Sequence, residues 1–411
     1  MLALEGKRIL DLTHYPPGAF CTMILGDLGA EVIKIQAFSE AFERGTDPQV
    51  VLKGDEAEKR AAFDALNRNK KSVGLNLKTK SGRQVFNRLV KTGDIIVEGF
   101  RPGVVKRLGV DYESVKSISP SIIYCSLSGY GQDGPYSKLP GHDINYISLG
   151  GALNLIGPHD GPPVIPLNLL GDFAGASLHG VIGILAALVA RDKTGKGQYV
   201  DIAFLDGIIS LLTWLTTDYF SNGMVRGRGE TFLQGAYPYY GVYEAKDGKY
   251  ITIGCGEPWF WTNLCRALNK EEYIQYHSVL PDHHFHKPEG DKWDEISSWL
   301  KHIFLMRTAD EWFEFLIKKE VPVGKVYTFD EVFRDPQVLH RQMVVEIDHP
   351  SLGKVKQVGI AIKLSETPGK IRSFSPRFGE HTEEILLELG YTLDEITKLK
   401  EEAAIGYPEK K

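Results

Sequence analysis

Three short segments carry side chains that could do acid–base chemistry. Gly141-His142-Asp143-Ile144-Asn145-Tyr146 offers an imidazole, Gly171-Asp172-Phe173 a carboxylate, and Gly256-Glu257-Pro258 a second carboxylate 85 residues further on. The first two read as loop edges rather than element interiors. Two bases of modest pKa held around one carbon can take a proton from one face and return it from the other. Each residue also has a plainer reading. Asp172 precedes an apolar stretch, as a helix N-cap does, and the helix dipole would favour its ionised form. His142 could be a loop histidine making one hydrogen bond, and Glu257 could simply open the helix that follows it.

The elements that must position these groups alternate as in α/β folds. Arg8–Leu12, Glu31–Ile35, Ser72–Leu77, Asp94–Glu98 and Ser121–Leu127 read as strands, with helices over about Ala19–Leu28 and Ser81–Lys91. That spacing calls for a parallel sheet covered by helices on both faces. After Asp172 an apolar helix runs to about Ala190, then a strand over Gln198–Phe204 and a helix from Asp206 to about Phe220. From about Gly223 the texture changes. A β pair, Tyr237–Tyr243 and Lys249–Gly254, turns at Asp247-Gly248, and aromatic-rich helices follow near Trp259–Leu268, Trp293–Leu305 and Ala309–Lys318. This gives a large α/β domain over 1–222 and a smaller α+β domain over 223–330. A C-terminal segment, 331–411, returns to the large domain with one last helix over Glu380–Leu389.

The chain has 411 residues, 43% of them apolar and 25% charged, with a net charge of −5. That balance shows no basic face for nucleic acid. Cys21, Cys125, Cys255 and Cys265 have no metal-finger or CxxC spacing, so a reducing, cytoplasmic setting is expected. No basic start followed by an apolar core marks a signal peptide. The longest apolar run, Gly180–Ala190, is short against the ~20 residues of a membrane span, so no membrane association is expected. Gly129-Tyr130-Gly131-Gln132-Asp133-Gly134 spells a dinucleotide fingerprint, but Pro135 and Pro140 follow and no helical period begins, so a turn-rich loop is expected instead. Pro281-Asp282-His283-His284-Phe285-His286 reads as a solvated loop rather than a metal tract. No metal or prosthetic group is expected.

Several motifs in register resemble CoA-transferase family III, the CaiB/BaiF-like superfamily. They are Leu10-Asp11-Leu12 through Asp27–Ile35, Asn67-Arg68-Asn69-Lys70-Lys71-Ser72-Val73, Glu98-Gly99-Phe100-Arg101-Pro102-Gly103, and Ser128–Tyr136. Within that superfamily, Gly141–Tyr146, Pro166–Phe173 and Glu257-Pro258 are similar to the α-methylacyl-CoA racemase branch. The tail Pro376–Thr382 looks more like the transferases. The resemblance implies a Rossmann-like sheet, an interlocked homodimer and an acyl-CoA substrate, with coenzyme A entering only as part of that substrate. It implies His142 and Asp172 as the two bases, with Glu257 bonded to His142. Alternatively, in a CoA transferase, Asp172 is the nucleophile. It also implies that CoA is held by Leu75, Asn76, Leu77, Lys78, Gly99, Phe100, Arg101 and Arg107, together with Gly141, Asp143, Ile144, Asn145 and Tyr146. Where racemases carry a basic residue for the nucleotide phosphate, this chain has Ala37, then Phe38 and, further on, Arg44. Backbone N–H groups around Asp172 are expected to face the thioester oxygen, and Trp259, Phe260, Trp261 and Tyr237 hint at a bulky apolar acyl group.

Overall fold

The computed structural model describes residues 1–37, 55–277 and 291–406. Phe38, Arg44 and the Pro281–His286 tract lie outside the described residues. Among those described, no group of three or more His, Cys, Asp or Glu could hold a metal ion. The chain forms two compact units. One comprises 1–150, 167–211 and 336–411, and the other 151–166 and 212–335. The segment 151–166 therefore groups with the smaller unit, and the tail with the larger.

The larger unit is built on a sheet whose order is β12-β3-β2-β1-β4-β5-β6. Its strands are β1 (Arg8–Asp11), β2 (Glu31–Gln36), β3 (Lys70–Leu75), β4 (Ile95–Glu98), β5 (Ile123–Ser128), β6 (Tyr199–Ala203) and β12 (Ile405–Gly406). The first six run parallel, and β12 pairs antiparallel with β3, placing Ile405 opposite Leu75. This is the 3-2-1-4-5-6 order of dinucleotide-binding folds with one short strand added at an edge. The first five parallel strands are buried nearly throughout because both faces are covered. Alternation along them makes two cores. Leu10, Ile33, Val73 and Ile96 face helix α2 (Lys80–Thr92) and the C-terminal helices Thr382–Glu388 and Leu393–Glu401. Ile9, Val32, Ile95 and Cys125 face α1 (Pro16–Asp27) and α5 (His179–Thr194).

The Asn67–Lys70 motif clamps this sheet from inside. Arg68 grips the Asp27 carboxylate with Nε at 3.0 Å and Nη2 at 2.6 Å, and Asn69 donates to the same group at 2.8 Å. Lys70 Nζ, fully buried, reaches Asp11 at 3.1 Å and the Thr22 hydroxyl at 2.8 Å. Burial alone would raise the Asp11 pKa, but Lys70, Lys34 and the Thr13 and Thr22 hydroxyls outweigh it and hold the group down to about 2. Positive charge at Lys70 is disfavoured by burial, which lowers its pKa to about 8 despite Asp11.

Four sequence expectations need correction. The apolar helix after Asp172 begins earlier and ends later: a wide, π-type helical segment spans Leu169–Leu178 and continues directly into α5. The combined Leu169–Thr194 run is, by length and composition, long enough to cross a membrane. Its inner face, with Val181, Ile184, Ala187 and Leu188, instead packs into the core beside β5. The expected 206–220 helix is two, α6 (Phe204–Leu211) and Thr216–Asn222. The tail holds a β10–β11 hairpin (Val344–His349 with Gly353–Val358), and a second helix follows the one expected.

The smaller unit holds the antiparallel sheet β7 (Tyr240–Glu244), β8 (Tyr250–Gly254), β9 (Val323–Lys325). Gly248, at φ +74°, supplies the left-handed turn residue between β7 and β8. Helix α7 (Pro258–Ala267) packs Trp261 beneath this sheet among Tyr239, Tyr243, Phe304 and Trp312.

Candidate active site

In open parallel sheets the ligand crevice opens at the carboxyl ends of the strands, where the strand order reverses. Here that point lies between β1 and β4, which leave in opposite directions around the sheet. The loop after β1 brings His14 edge-on to Phe100, in the loop after β4, with ring centroids 5.1 Å apart.

The residues expected to do chemistry in the larger unit come together on two elements. His142 is the N-cap of α4 (Asp143–Leu149), a helix that was not expected. Its backbone N–H donates to Asn145 Oδ1 at 3.0 Å, which fixes the entry to that helix and leaves the imidazole exposed. Asp172 is the fourth residue of the wide helical segment rather than its N-cap. The segment is seated by Ser177, whose hydroxyl donates to the Pro17 carbonyl at 2.7 Å, and by Phe173 against Phe20 at 4.9 Å. Wide helical turns of this kind often occur at functional sites.

Asp143 joins the two elements. Its Oδ1 accepts the Asp172 N–H at 2.8 Å, and it is only 7% exposed. Gly171 makes this approach possible, since a Cβ there would stand 2.5 Å from Asp143 Oδ1. The Asp172 N–H is therefore committed to a carboxylate, so it is not one of the N–H groups around Asp172 left to face a thioester oxygen. The Asp172 side chain accepts from the Asn168 amide at 3.0 Å. Burial raises its pKa, the Asn168 bond lowers it, repulsion from Asp143 raises it, and attraction to His142 lowers it; the net shift is upward. His142, next to Asp143 in the chain, is carried on the element that the Asp143 bond joins to Asp172. A half-buried carboxyl with raised pKa and an exposed imidazole on two joined elements can exchange protons with a bound carbon acid, or the carboxylate can attack a thioester.

Other expected residues take varied places. The Tyr146 hydroxyl donates to the Gly141 carbonyl at 2.5 Å and its ring packs on Tyr130, so both Gly141 and Tyr146 shape the wall rather than offer free donors. Burial first, then Tyr130 and Asp172, push the Tyr146 phenol up to about 12, while Arg101 pulls it back. Arg101 thus belongs to the same neighbourhood. Arg101 and Arg107 are exposed, and Gly103, at φ +88°, lets the chain turn between them. Ile144 is 39% exposed on the first turn of α4. Leu75 and Leu77 are core residues, so only Asn76 and Lys78 of that quartet lie open. Asn76 binds the chain end, donating its backbone N–H to the Ala404 carbonyl at 2.9 Å. Ala37 is exposed just beyond β2. Glu257, in the smaller unit, is the N-cap of α7. Of the aromatic four, Trp261 and Tyr237 are core, and Trp259 is 59% exposed. The transferase-like tail is structural: the Gly74 N–H donates to Thr382 Oγ1 at 3.0 Å and the Ser72 N–H to His381 Nδ1 at 3.2 Å.

Two residues escaped the sequence reading. Asn168 is four positions before Asp172, the spacing that stacks side chains on one helix face, but the helix start was placed too late to use it. Glu98 ends the apolar run Ile95-Ile96-Val97 as a buried acid. Burial pushes it up to about 7, against hydrogen bonds from Ser126 and the Phe100 N–H.

Comparison with known proteins agrees with this geometry. The model of CoA-transferase family III matches residues 4–382. The chain is 33% identical to human alpha-methylacyl-CoA racemase over 98% of each chain. It is 34% identical to human succinyl-CoA:glutarate CoA-transferase, covering 94% of this chain and 86% of that one. A CAIB/BAIF family protein from Brucella suis superposes with a TM-score of 0.78 at 29% identity, covering 94% of this chain and 99% of that one. With the parallel sheet, its switch point between β1 and β4 and the motifs in register, these matches establish that the chain belongs to CoA-transferase family III.

Proposed function

We propose that this enzyme is a 2-methylacyl-CoA racemase that inverts the α-carbon by two-base proton transfer through an enolate. The observation that carries the reading is that His142, exposed at the start of α4, and the half-buried Asp172 carboxyl are borne on two elements joined by the 2.8 Å bond from the Asp172 N–H to Asp143. An α-methyl thioester placed against both loses its proton to one and regains it from the other on the opposite face. The raised pKa of Asp172 suits a group that must act as base in one direction and acid in the other. Arg101 and Arg107 present guanidinium forks that bind phosphate oxygens bidentately, and the exposed Lys78 offers a further cation for the carrier. Glu257 enters by resemblance as the carboxylate that fixes the imidazole tautomer.

A CoA transferase is the alternative, favoured by the transferase at 34% identity and by an Asp172 carboxylate that accepts a hydrogen bond on one oxygen only, among the described residues, which leaves the other to act as nucleophile. One experiment separates the two. A single-enantiomer 2-methylacyl-CoA is incubated with the protein in D₂O without acceptor acid. Deuterium at the α-carbon with loss of optical purity supports racemisation; no exchange across several branched acyl-CoAs rejects it. Asp172→Ala should abolish either activity, whereas His142→Ala should abolish racemisation only. Full racemisation by His142→Ala would refute the two-base scheme.

We also infer a homodimer. Ile182 (62% exposed), Val189 (57%), Ile209 (49%) and Leu211 (49%) give α5 and α6 apolar outer faces that a second copy of the chain would cover. Sedimentation velocity at the monomer mass would overturn this. The four cysteines are free and buried, which suits a reducing cytoplasm, and the reading calls for no membrane, nucleic acid or prosthetic group.

A further inference from the structure

Glu98 closes β4 with 1% exposure, and no cation pairs with it among the described residues. Both its oxygens are occupied. Oε2 accepts the Phe100 N–H at 2.7 Å, and Oε1 accepts the Ser126 hydroxyl from β5. Ser126 Oγ in turn accepts the Tyr199 hydroxyl from β6 at 2.9 Å. A line of hydrogen bonds thus crosses three strands and ends on one backbone N–H of the loop that leads to Arg101.

An unpaired buried acid is costly, and an apolar residue would close this strand at less cost. What an apolar residue cannot do is accept from Phe100. The ring of Phe100 is already held by His14, so the bond from Glu98 fixes the same residue at its backbone. From there the chain turns tightly: the Val104 N–H donates to the Arg101 carbonyl at 3.1 Å, and the Arg107 N–H to the Gly103 carbonyl at 3.2 Å. The exposed Arg101 is therefore the first free side chain after a doubly anchored residue.

We propose that Glu98 is a positioning residue for coenzyme A: by holding the Phe100 N–H it sets where Arg101 presents its guanidinium to the CoA phosphates. This rests on the reading of Arg101 as a phosphate ligand. The charged and titratable groups around Glu98 are Asp201 on β6, the Cys125 thiol on β5, the Tyr124 and Tyr199 phenols, all three raised by burial, and His14 beyond Phe100. Burial, reinforced by Asp201, keeps Glu98 titrating near neutrality, so its grip on Phe100 strengthens as it ionises.

The test is calorimetric titration of the full chain with coenzyme A. Arg101→Ala should weaken binding about tenfold, and Glu98→Ala about five- to tenfold, the loss appearing in KM for acyl-CoA rather than in kcat. Glu98→Gln should stay within about twofold at pH 6, because its amide oxygen still accepts from Phe100. Wild type should then tighten relative to Glu98→Gln between pH 6 and pH 8; the CoA phosphates and His14 are common to both proteins and cancel in the ratio. This comparison decides even if Glu98→Ala does not fold. Weakened Arg101→Ala beside an unaffected Glu98→Ala, or a pH-independent ratio, overturns the proposal and leaves the CoA reading standing. An Arg101→Ala protein that binds CoA like wild type overturns both.

Discussion

Gly171→Ala isolates the contact that seats Asp172. The added Cβ would lie 2.5 Å from Asp143 Oδ1, 3.1 Å from its Cγ and 3.4 Å from Ile147 Cγ2. The first distance is about 0.9 Å short of ordinary contact at 3.4 Å. Asp143 is a short, buried side chain held by the 2.8 Å bond from Asp172, so it cannot swing aside without breaking that bond. Either Asp143 gives way and the Asp172 N–H loses its acceptor, or the Asp172 backbone moves. Overpacking of this kind costs about 1–3 kcal/mol, and a misplacement of about 1 Å in a reacting group costs roughly 100-fold in rate. We therefore expect kcat for α-proton exchange to fall by about two orders of magnitude. KM should change far less, since Arg101 and Arg107 are untouched. The assay is isotope exchange from a branched acyl-CoA in D₂O beside denaturant unfolding. Adding Asp143→Ala to Gly171→Ala should recover part of the stability, by removing the clash, but not the rate. Wild-type kcat and stability in Gly171→Ala would refute the reasoning, because the Asp143–Asp172 contact would then not govern the position of the base.

Other outcomes follow from the same groups. Asp143→Asn removes the like charge that helps raise the Asp172 pKa, so the acid limb of the pH–rate profile, where activity falls as Asp172 is protonated, should move to lower pH; an unmoved limb would count against the coupling. Lys70→Met leaves Asp11 buried without its cation and should cost about 3–5 kcal/mol in denaturant unfolding; a loss below about 1 kcal/mol would contradict the clamp. In the wild type, the Asp11 contribution is complete above the ordinary carboxylate pKa and is lost as pH falls toward about 2, so acid unfolding should steepen there.

The sheet was legible because its strands carry short apolar stretches separated at βαβ spacing, with α1 and α2 read between them; the helices Asp55–Phe63, Val104–Leu108 and Tyr112–Lys116 were not read. Leu169–Leu178 was not. Gly171 and Gly175 argue against helix on propensity, yet they are present because Asp143 and the α6 backbone come close to them: a Cβ on Gly207 would lie 2.0 Å from the Gly175 carbonyl. That is a fact of packing, invisible to local pattern. For the same reason Asp172 resembled a cap, since the three residues before it looked like loop. Helix α4 was hidden by its seven-residue length, too short for a period to show. His142 and Asp172 were nevertheless found, because their residue types stood out where the backbone did not. Glu98 was quoted within a motif but given no role; its hydrogen bonds come from β5 and from two residues ahead, and neither is a spacing that sequence reveals.

The pairing of β12 with β3 has a consequence for how the chain is made. Ile405 meets Leu75 across some 330 residues of sequence, and the Ser72 and Gly74 N–H groups of the same border are taken by His381 and Thr382, so during synthesis the β3 border stays open until those distant residues have emerged. An open strand border is a template for joining other chains, and contacts of such long sequence separation form late. In that interval the assembled sheet carries one unsealed border, open to association with other chains, and a stop codon before His381 would leave that border open for good.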